Sequence, residues 1–254
     1  MVFIGLDPTA GKRPINYAVL DHDLKIVAQA AGKFDEVIDV ITGYPSAVVA
    51  IDAPQSPNQG LMADPARRQQ LGLAPNGKGW ANCKVCEYQM RQHGIGLYLT
   101  PGDAASAPSW MQMGFRLYES LRAEGFQMYR PELKAERIML EVYPHGCFTV
   151  LLGHRPVRKD TLEGRLQRQI VLYDEGLDVP DPMNAVEEIT RHHLREGTLS
   201  FPGLFTHDEL DALVAAYTAY LAARDPARVT LVGDPEEGQI ILPIAPADFK
   251  DQYR

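Results

Sequence analysis

Thr206-His207-Asp208-Glu209-Leu210-Asp211-Ala212-Leu213-Val214-Ala215-Ala216-Tyr217-Thr218-Ala219-Tyr220-Leu221 is the stretch whose reading decides the fold. Its spacing predicts a helix with a defined start. Thr206 stands at an N-cap position, and Glu209 completes a capping box. Leu210, Leu213, Val214, Tyr217 and Leu221 form one apolar stripe turned toward a core. Asp208 and Asp211 project from one side of the first turns, at the flank of that stripe. Ala215 and Thr218 share the flank and would let a strand approach closely. Two acids at the border of a buried face repel each other and lose hydration. A divalent cation is the simplest charge that offsets this. The plainer reading is that Asp208 and Glu209 complement the helix dipole. Asp211 lies deeper along the helix, where that reading does not reach it.

Other acids stand where they would converge on this helix. Residues 2–7 read as a strand ending on Asp7, with Pro8 stopping it. Asn16 to Leu20 and Leu24 to Ala31 are further strand-like runs, joined by the polar turn Asp21-His22-Asp23. Phe34 to Ile41 has helical spacing. Ala47-Val48-Val49-Ala50-Ile51-Asp52 is apolar on both faces, as a buried central strand is, and closes on a carboxylate. In open α/β sheets ligands sit outside the carboxyl ends of strands, which makes Asp7 and Asp52 candidates for one site. The plainer alternative is that each caps a turn before a proline.

Further along, residues 55–107 are rich in Gly, Pro, Asn and Gln, with one expected helix at Lys84 to Gln92. A stretch of this kind is usually a functional loop region. Trp80 and Gly77-Lys78-Gly79 are candidates for lining a cleft there, or for a plain surface loop. Ser109 to Glu124 reads as a helix closed by Gly125. Ile138 to Pro144 reads as a strand whose Glu141 interrupts an apolar run, so it needs a cation, either Lys/Arg or metal. Leu162 to Asp174 and Pro182 to Glu196 are expected helices. Val229–Asp234 and Gly238–Pro243 are expected as a terminal strand pair joined by Pro235-Glu236-Glu237. The organisation expected is one domain over 1–254, with an irregular insertion at about 55–107 and a helical one at about 145–205.

With 254 residues, 45% apolar and 23% charged, the composition is that of an ordinary soluble globular chain. No apolar run is long enough for a membrane span, and no signal peptide is visible at the N-terminus. A cytoplasmic protein is the expectation. The net charge of −8 argues against a broad grip on a phosphate backbone, but metal ions can supply positive charge locally. Arg155, Arg158, Lys159, Arg165 and Arg168 form a basic cluster, either a solvated face or a phosphate contact. Cys83-Lys84-Val85-Cys86 lacks the second pair that a structural zinc site needs. Gly5 to Arg13 fails the P-loop pattern in both its glycine spacing and the residue after Lys12. There is no dinucleotide or hydrolase motif.

Three strands with Asp on the first, a helix, a strand ending in an acid and a late Asp-x-x-Asp helix together resemble the RNase H-like fold. The Asp208–Leu213 turn looks like the signature of RuvC resolvases. Nearly the whole chain resembles an uncharacterised family of predicted nucleases with that fold. The match lies in Gly5-Leu6-Asp7, Ile51-Asp52-Ala53-Pro54, Cys86-Glu87, Glu141-Val142-Tyr143-Pro144, Gly164-Arg165-x-x-Arg168, His207-Asp208-x-x-Asp211-Ala212 and Gly233-Asp234-x-x-Glu237-Gly238. Lys84 and Glu87 stand where that family tends to carry Arg and Asp.

The resemblance implies a mixed α/β sheet, an antiparallel three-strand meander plus parallel strands, flanked by helices and carrying insertions. It implies that Asp7, Asp52, Asp208 and Asp211 bind Mg²⁺ or Mn²⁺, with Glu141 adjoining them in the catalytic set. Lys159, Arg165 or Arg168 would balance phosphate charge, and the substrate would be nucleic acid or another phosphodiester. The alternatives are an actin-like or sugar-kinase-type phosphotransferase, which needs two such domains, and a non-catalytic binding module with a decayed site. The oligomeric state stays open, a homodimer among the options.

Overall fold

Strand β1 (Val2–Asp7) pairs antiparallel with β2 (Ile15–Leu20), and β2 with β3 (Ile26–Gly32). Helix α1 (Phe34–Thr42) returns the chain to β4 (Ala47–Ile51), which pairs parallel with β1. This computed structural model describes residues 1–9, 13–73, 79–187 and 189–254. Helices α2 (Pro65–Gln70), α3 (Val85–Gln92) and α4 (Ser109–Ala123) follow, then β5 (Gln127–Met128) and β6 (Arg137–Glu141). Helices α5 (Pro144–Leu152), α6 (Leu162–Asp174), α7 (Pro182–Glu187), α8 (Arg191–Glu196) and α9 (His207–Arg224) precede the antiparallel pair β7 (Thr230–Asp234) and β8 (Gly238–Leu242).

The strands form one mixed sheet in the order β3-β2-β1-β4-β6-β8-β7, with β5 beside β6. β4, β6 and β8 extend it in parallel from β1. Every residue of β4 is buried, as its unbroken apolar run requires. Alternating side chains divide between two cores. Ile4, Leu6, Val49, Ile51 and Met139 pack with α1 and α4 on one face, while Phe3, Val48, Ala50, Leu140 and Val142 pack on the α9 face.

α9 starts as its sequence dictates. The Thr206 hydroxyl accepts from Glu209 N, and the Glu209 carboxylate accepts from Thr206 N at 2.7 Å. The single stripe expected for it understates the burial: Leu210 to Ala219 are all buried. The helix crosses β1, β2 and β4 on one side and is covered by α5 and α6 on the other. A helix apolar all round is what such a sandwiched position selects. β1 approaches at Gly5, where an added Cβ would meet Ala212 O at 1.9 Å and Ala216 N at 2.4 Å. Ala215 lines this crossing as expected. Thr218 does not: its hydroxyl caps Val214 O and faces the Cys147 thiol.

Other expectations are corrected as well. The expected helix from Pro182 to Glu196 is two short helices, because Thr190 turns extended and N-caps α8 by accepting from His193 N. α5 was hidden because six of its nine residues are buried on all sides, leaving no stripe to read. The 55–107 stretch also holds α2, capped by Asp64 with Pro65 at its first position. Among the described residues no helix is long and apolar enough to cross a membrane.

Candidate functional site

The parallel register sets Leu6 beside Ile51, and Asp52 N donates to Leu6 O at 2.9 Å. Asp7 and Asp52 therefore finish adjacent strands side by side. The close crossing at Gly5 brings the first turns of α9, with Asp208 and Asp211, over the same end of the sheet. Four acids distant in sequence thus meet at the carboxyl ends of β1 and β4.

Their electrostatics record the crowding. The Asp7 carboxyl is pushed up to about 8 by burial first, then by the charges of Asp211 and Asp208; it also hydrogen-bonds Asp208. Asp52 is raised well above the usual carboxylate range by burial, then by Asp7 and Asp211. Asp211, 3% exposed, is raised by burial even though Lys159, Arg168 and His207 all act against that shift.

One cation faces three of these acids. Lys159 Nζ lies 2.6 Å from Asp211 Oδ2, with about half of its side chain exposed. Burial works against its charge, but Asp211, Asp7 and Asp52 outweigh burial and raise its pKa. His207 Nδ1 lies 2.7 Å from Asp208 Oδ1, an ion-pair distance without hydrogen-bond alignment. Asp211 thus has a lysine and Asp208 a histidine beside it, while Asp7 and Asp52 have no ion pair of their own among the described residues.

The other two candidate basic residues bond to backbone carbonyls. Arg165 donates from Nε to Phe205 O at 2.7 Å and from Nη2 to Leu204 O at 2.8 Å, fixing the chain that leads into α9. Arg168 is buried, donates from Nη1 to Val157 O and Gly164 O, and lies over the Phe148 ring. Both guanidiniums are thus engaged by backbone carbonyls, Arg168 buried and Arg165 half-buried. A side chain that sequence reasoning missed lies here: His145, lowered to about 4 by burial first, then by Arg168, Lys159 and Arg155. Its place two residues into the α5 turn could be read only once α5 itself was known.

Glu141 belongs to a second buried polar group. It ends β6 in register with Ile51 and accepts from Gln55 N at 3.0 Å. Its pKa is pushed up to about 7 by burial, against the Lys84 charge and the Gln55 hydrogen bond. The positive charge acting on it is Lys84, at the expected helix start, although no ion pair joins the two among the described residues. Glu87 accepts from Lys84 N and Thr100 N, and Glu237 from Gln59 N and Val85 N.

As metal donors, the four aspartates are hard oxygen ligands with unbalanced negative charge, the chemistry Mg²⁺ and Mn²⁺ select. The Asp7–Asp208 contact fits a cation as well as it fits a shared proton. Here Asp211 is paired with Lys159, and the four carboxylates are not gathered on one point. Among the described residues, three potential ligand atoms lie within 4.8 Å of one another only in Asp21, His22 and Asp23. That trio is the β2–β3 turn, where Asp21 Oδ1 accepts from Asp23 N and Lys25 N. It is a local turn cap and no evidence for a particular metal. Cys83 and Cys86 are free and buried. Trp80 packs edge-on against Tyr88 at 4.8 Å, lining a small core. Gly77 and Lys78 lie outside the described residues.

No curated protein and no solved structure matches the chain. A family model described as "Protein of unknown function (DUF429)" matches residues 5–237.

Proposed function

We propose that this chain, which belongs to the DUF429 family, is a metal-dependent phosphodiesterase, a nuclease with an RNase H-like core. The observation that carries the proposal is the meeting of Asp7, Asp52, Asp208 and Asp211, from three separate elements, with one lysine ammonium among the described residues, Lys159, acting on Asp7, Asp52 and Asp211. Structural acids are normally balanced one for one; a crowded set with one member, Asp211, buried and the others half-buried, and with too few cations among the described residues, is a site candidate. The sheet order supports the RNase H-like reading, with an antiparallel β3-β2-β1 meander continuing into parallel β4 and β6. The described strands form one sheet, which counts against the two-domain phosphotransferase.

Asp7 and Asp52 would hold the cations from the strand ends, and Asp208 and Asp211 from the helix. Bound Mg²⁺ or Mn²⁺ supplies Lewis acidity and an acidified water for in-line attack at phosphorus. With Asp211 engaged by a cation, Lys159 would be the side chain placed to meet a phosphate oxygen. His145, kept neutral by burial first and then by the charges of Arg168, Lys159 and Arg155, lies near Lys159. The substrate class is nucleic acid or another phosphodiester.

Asp7→Asn should abolish Mn²⁺-dependent cleavage of a nucleic-acid substrate while leaving the protein folded, because it relieves carboxylate repulsion. Unchanged hydrolysis by that variant would end the proposal. A second reading, a binding module with a decayed site, is favoured by the Lys159–Asp211 pair, which already occupies one ligand. Absence of any Mn²⁺-dependent rise in melting temperature would select it.

A further inference from the structure

Lys84-Val85-Cys86-Glu87 stands out in the sequence, yet the aspartate centre uses none of it. In the structure Lys84 is fully buried, and its Nζ has no hydrogen-bond partner among the described residues. An ammonium withdrawn from water with none of its three donors used costs several kcal/mol. Such a cost persists only where something needs the charge. Glu141 and Glu87 both feel it. The Tyr98 hydroxyl is likewise buried and unpartnered, and burial first, then the nearby charges of Glu141 and Asp52, raises its pKa. Two buried donors without partners therefore act by charge on, or feel the charge of, a carboxylate whose one direct hydrogen bond among the described residues comes from Gln55 N.

The placement is specific. Glu87 holds both Lys84 N and Thr100 N, so its fixed carboxylate ties the start of α3 to the chain before α4. Glu237 holds Val85 N and Gln59 N, tying the same start to the β7–β8 turn. Lys84 is thereby delivered to the end of β6. Glu141 is the register partner of Ile51, and the next residue is Asp52, which feels the Glu141 charge. A positive charge here excludes a metal ion of its own. It does fit a group that acts one shell behind the aspartates.

We propose that Lys84 is a positioning residue of the carboxylate centre: with the Tyr98 hydroxyl it holds Glu141, through ordered water, beside Asp52. This rests on the metal-centre reading above and deepens it. It gives the 55–107 stretch a role as a supplier of the outer shell. Outer-shell partners of metal-binding carboxylates orient their ligands and typically change affinity 10–100-fold when removed.

The test is Mn²⁺ titration by calorimetry on the folded wild type, Lys84→Met, Lys84→Arg and the double variant Lys84→Met/Glu141→Gln. Lys84→Met should weaken Mn²⁺ binding about 10–100-fold, and Lys84→Arg, which keeps the charge, should recover most of it. The double variant removes both charges, so it should fold even if Lys84→Met alone does not, and it should remain weak for Mn²⁺. Wild-type affinity in the double variant would show a buried pair that only stabilises the fold, and would overturn the inference while the metal centre stands. A wild type that binds no Mn²⁺ would overturn both.

Discussion

Glu87 and Glu237 are as deeply buried as Asp211, each at 1% against its 3%, yet the fold treats them in opposite ways. Both oxygens of Glu87 accept a backbone N–H, from Lys84 and Thr100, and both oxygens of Glu237 do so from Gln59 and Val85. Asp211 has a lysine that is half exposed, and Asp7 and Asp52 accept no backbone N–H among the described hydrogen bonds. Fixed amides cannot leave, so the glutamates are bound into the architecture. A lysine side chain can leave, so the aspartates are poised for an exchange of partners. Burial alone does not mark a functional acid. What marks it is burial without permanent donors.

The largest expected effect breaks the glutamate side of this contrast. Glu87→Ala orphans two buried amides and leaves the Lys84 ammonium nearer to uncompensated, which should cost about 3–5 kcal/mol in denaturant unfolding. A loss no larger than that of Asp7→Asn would erase the distinction. Next comes the aspartate side. Gly5→Ala drives a methyl into the backbone of Ala212 and Ala216, so α9 must move off β1. That should cost ~3 kcal/mol and take Asp208 and Asp211 away from Asp7, with Mn²⁺ binding lost in the protein that still folds. Mn²⁺ affinity unaltered in Gly5→Ala would mean that this crossing does not set the site.

Much of this was legible in the sequence, for reasons that differ by residue. The apolar run closing on Asp52 and the capping box at Thr206 are local signals, and both placed their acids correctly. Helix α5 was not legible, since Pro144–Leu152 is buried on nearly all sides and has no polar face to set a period; His145 was lost with it. For Arg165 and Arg168, composition shows a basic cluster but not which carbonyls each guanidinium meets. Two carbonyls just before α9 claim the first, and two beside α6 the second. Lys84 was invisible as a counter-charge because its partner Glu141 lies far away in sequence.

The pH dependence of stability gives a middle-sized effect. Asp7 titrates at about 8 when folded and from 3.8 otherwise, so the folded state keeps a proton the unfolded state has shed. Stability must therefore fall as pH rises from about 4 through about 8. Glu141, at about 7 against 4.5, acts in the same sense up to about 7. His145 acts oppositely: at about 4 against 6.5, it makes stability rise with pH until 6.5. The window from 6.5 to 8 is free of His145. There the loss should approach about 1.4 kcal/mol per pH unit for one proton. Asp7→Asn should flatten the slope. Saturating Mn²⁺ should abolish or reverse it, because bound carboxylates give up their protons. A wild type equally stable across that window would show that neither burial nor its neighbours hold a proton on Asp7.

Arg165→Ala carries the smallest effect and sharpens the contrast furthest, because here a charged residue next to the site is claimed to be architecture. Its two hydrogen bonds to Leu204 O and Phe205 O hold the segment that delivers Thr206 to its N-cap position. Losing them at a half-buried position should cost ~1 kcal/mol and leave KM for a phosphodiester unchanged. Lys159→Ala should do the reverse, raising KM with little loss of stability, since its ion pair is half open to water and strains against burial. If Arg165→Ala instead raised KM at unchanged melting temperature, its guanidinium would have to leave those carbonyls for substrate. The rule that fixed backbone partners mark structural charges would then fail at the residue where it is easiest to check.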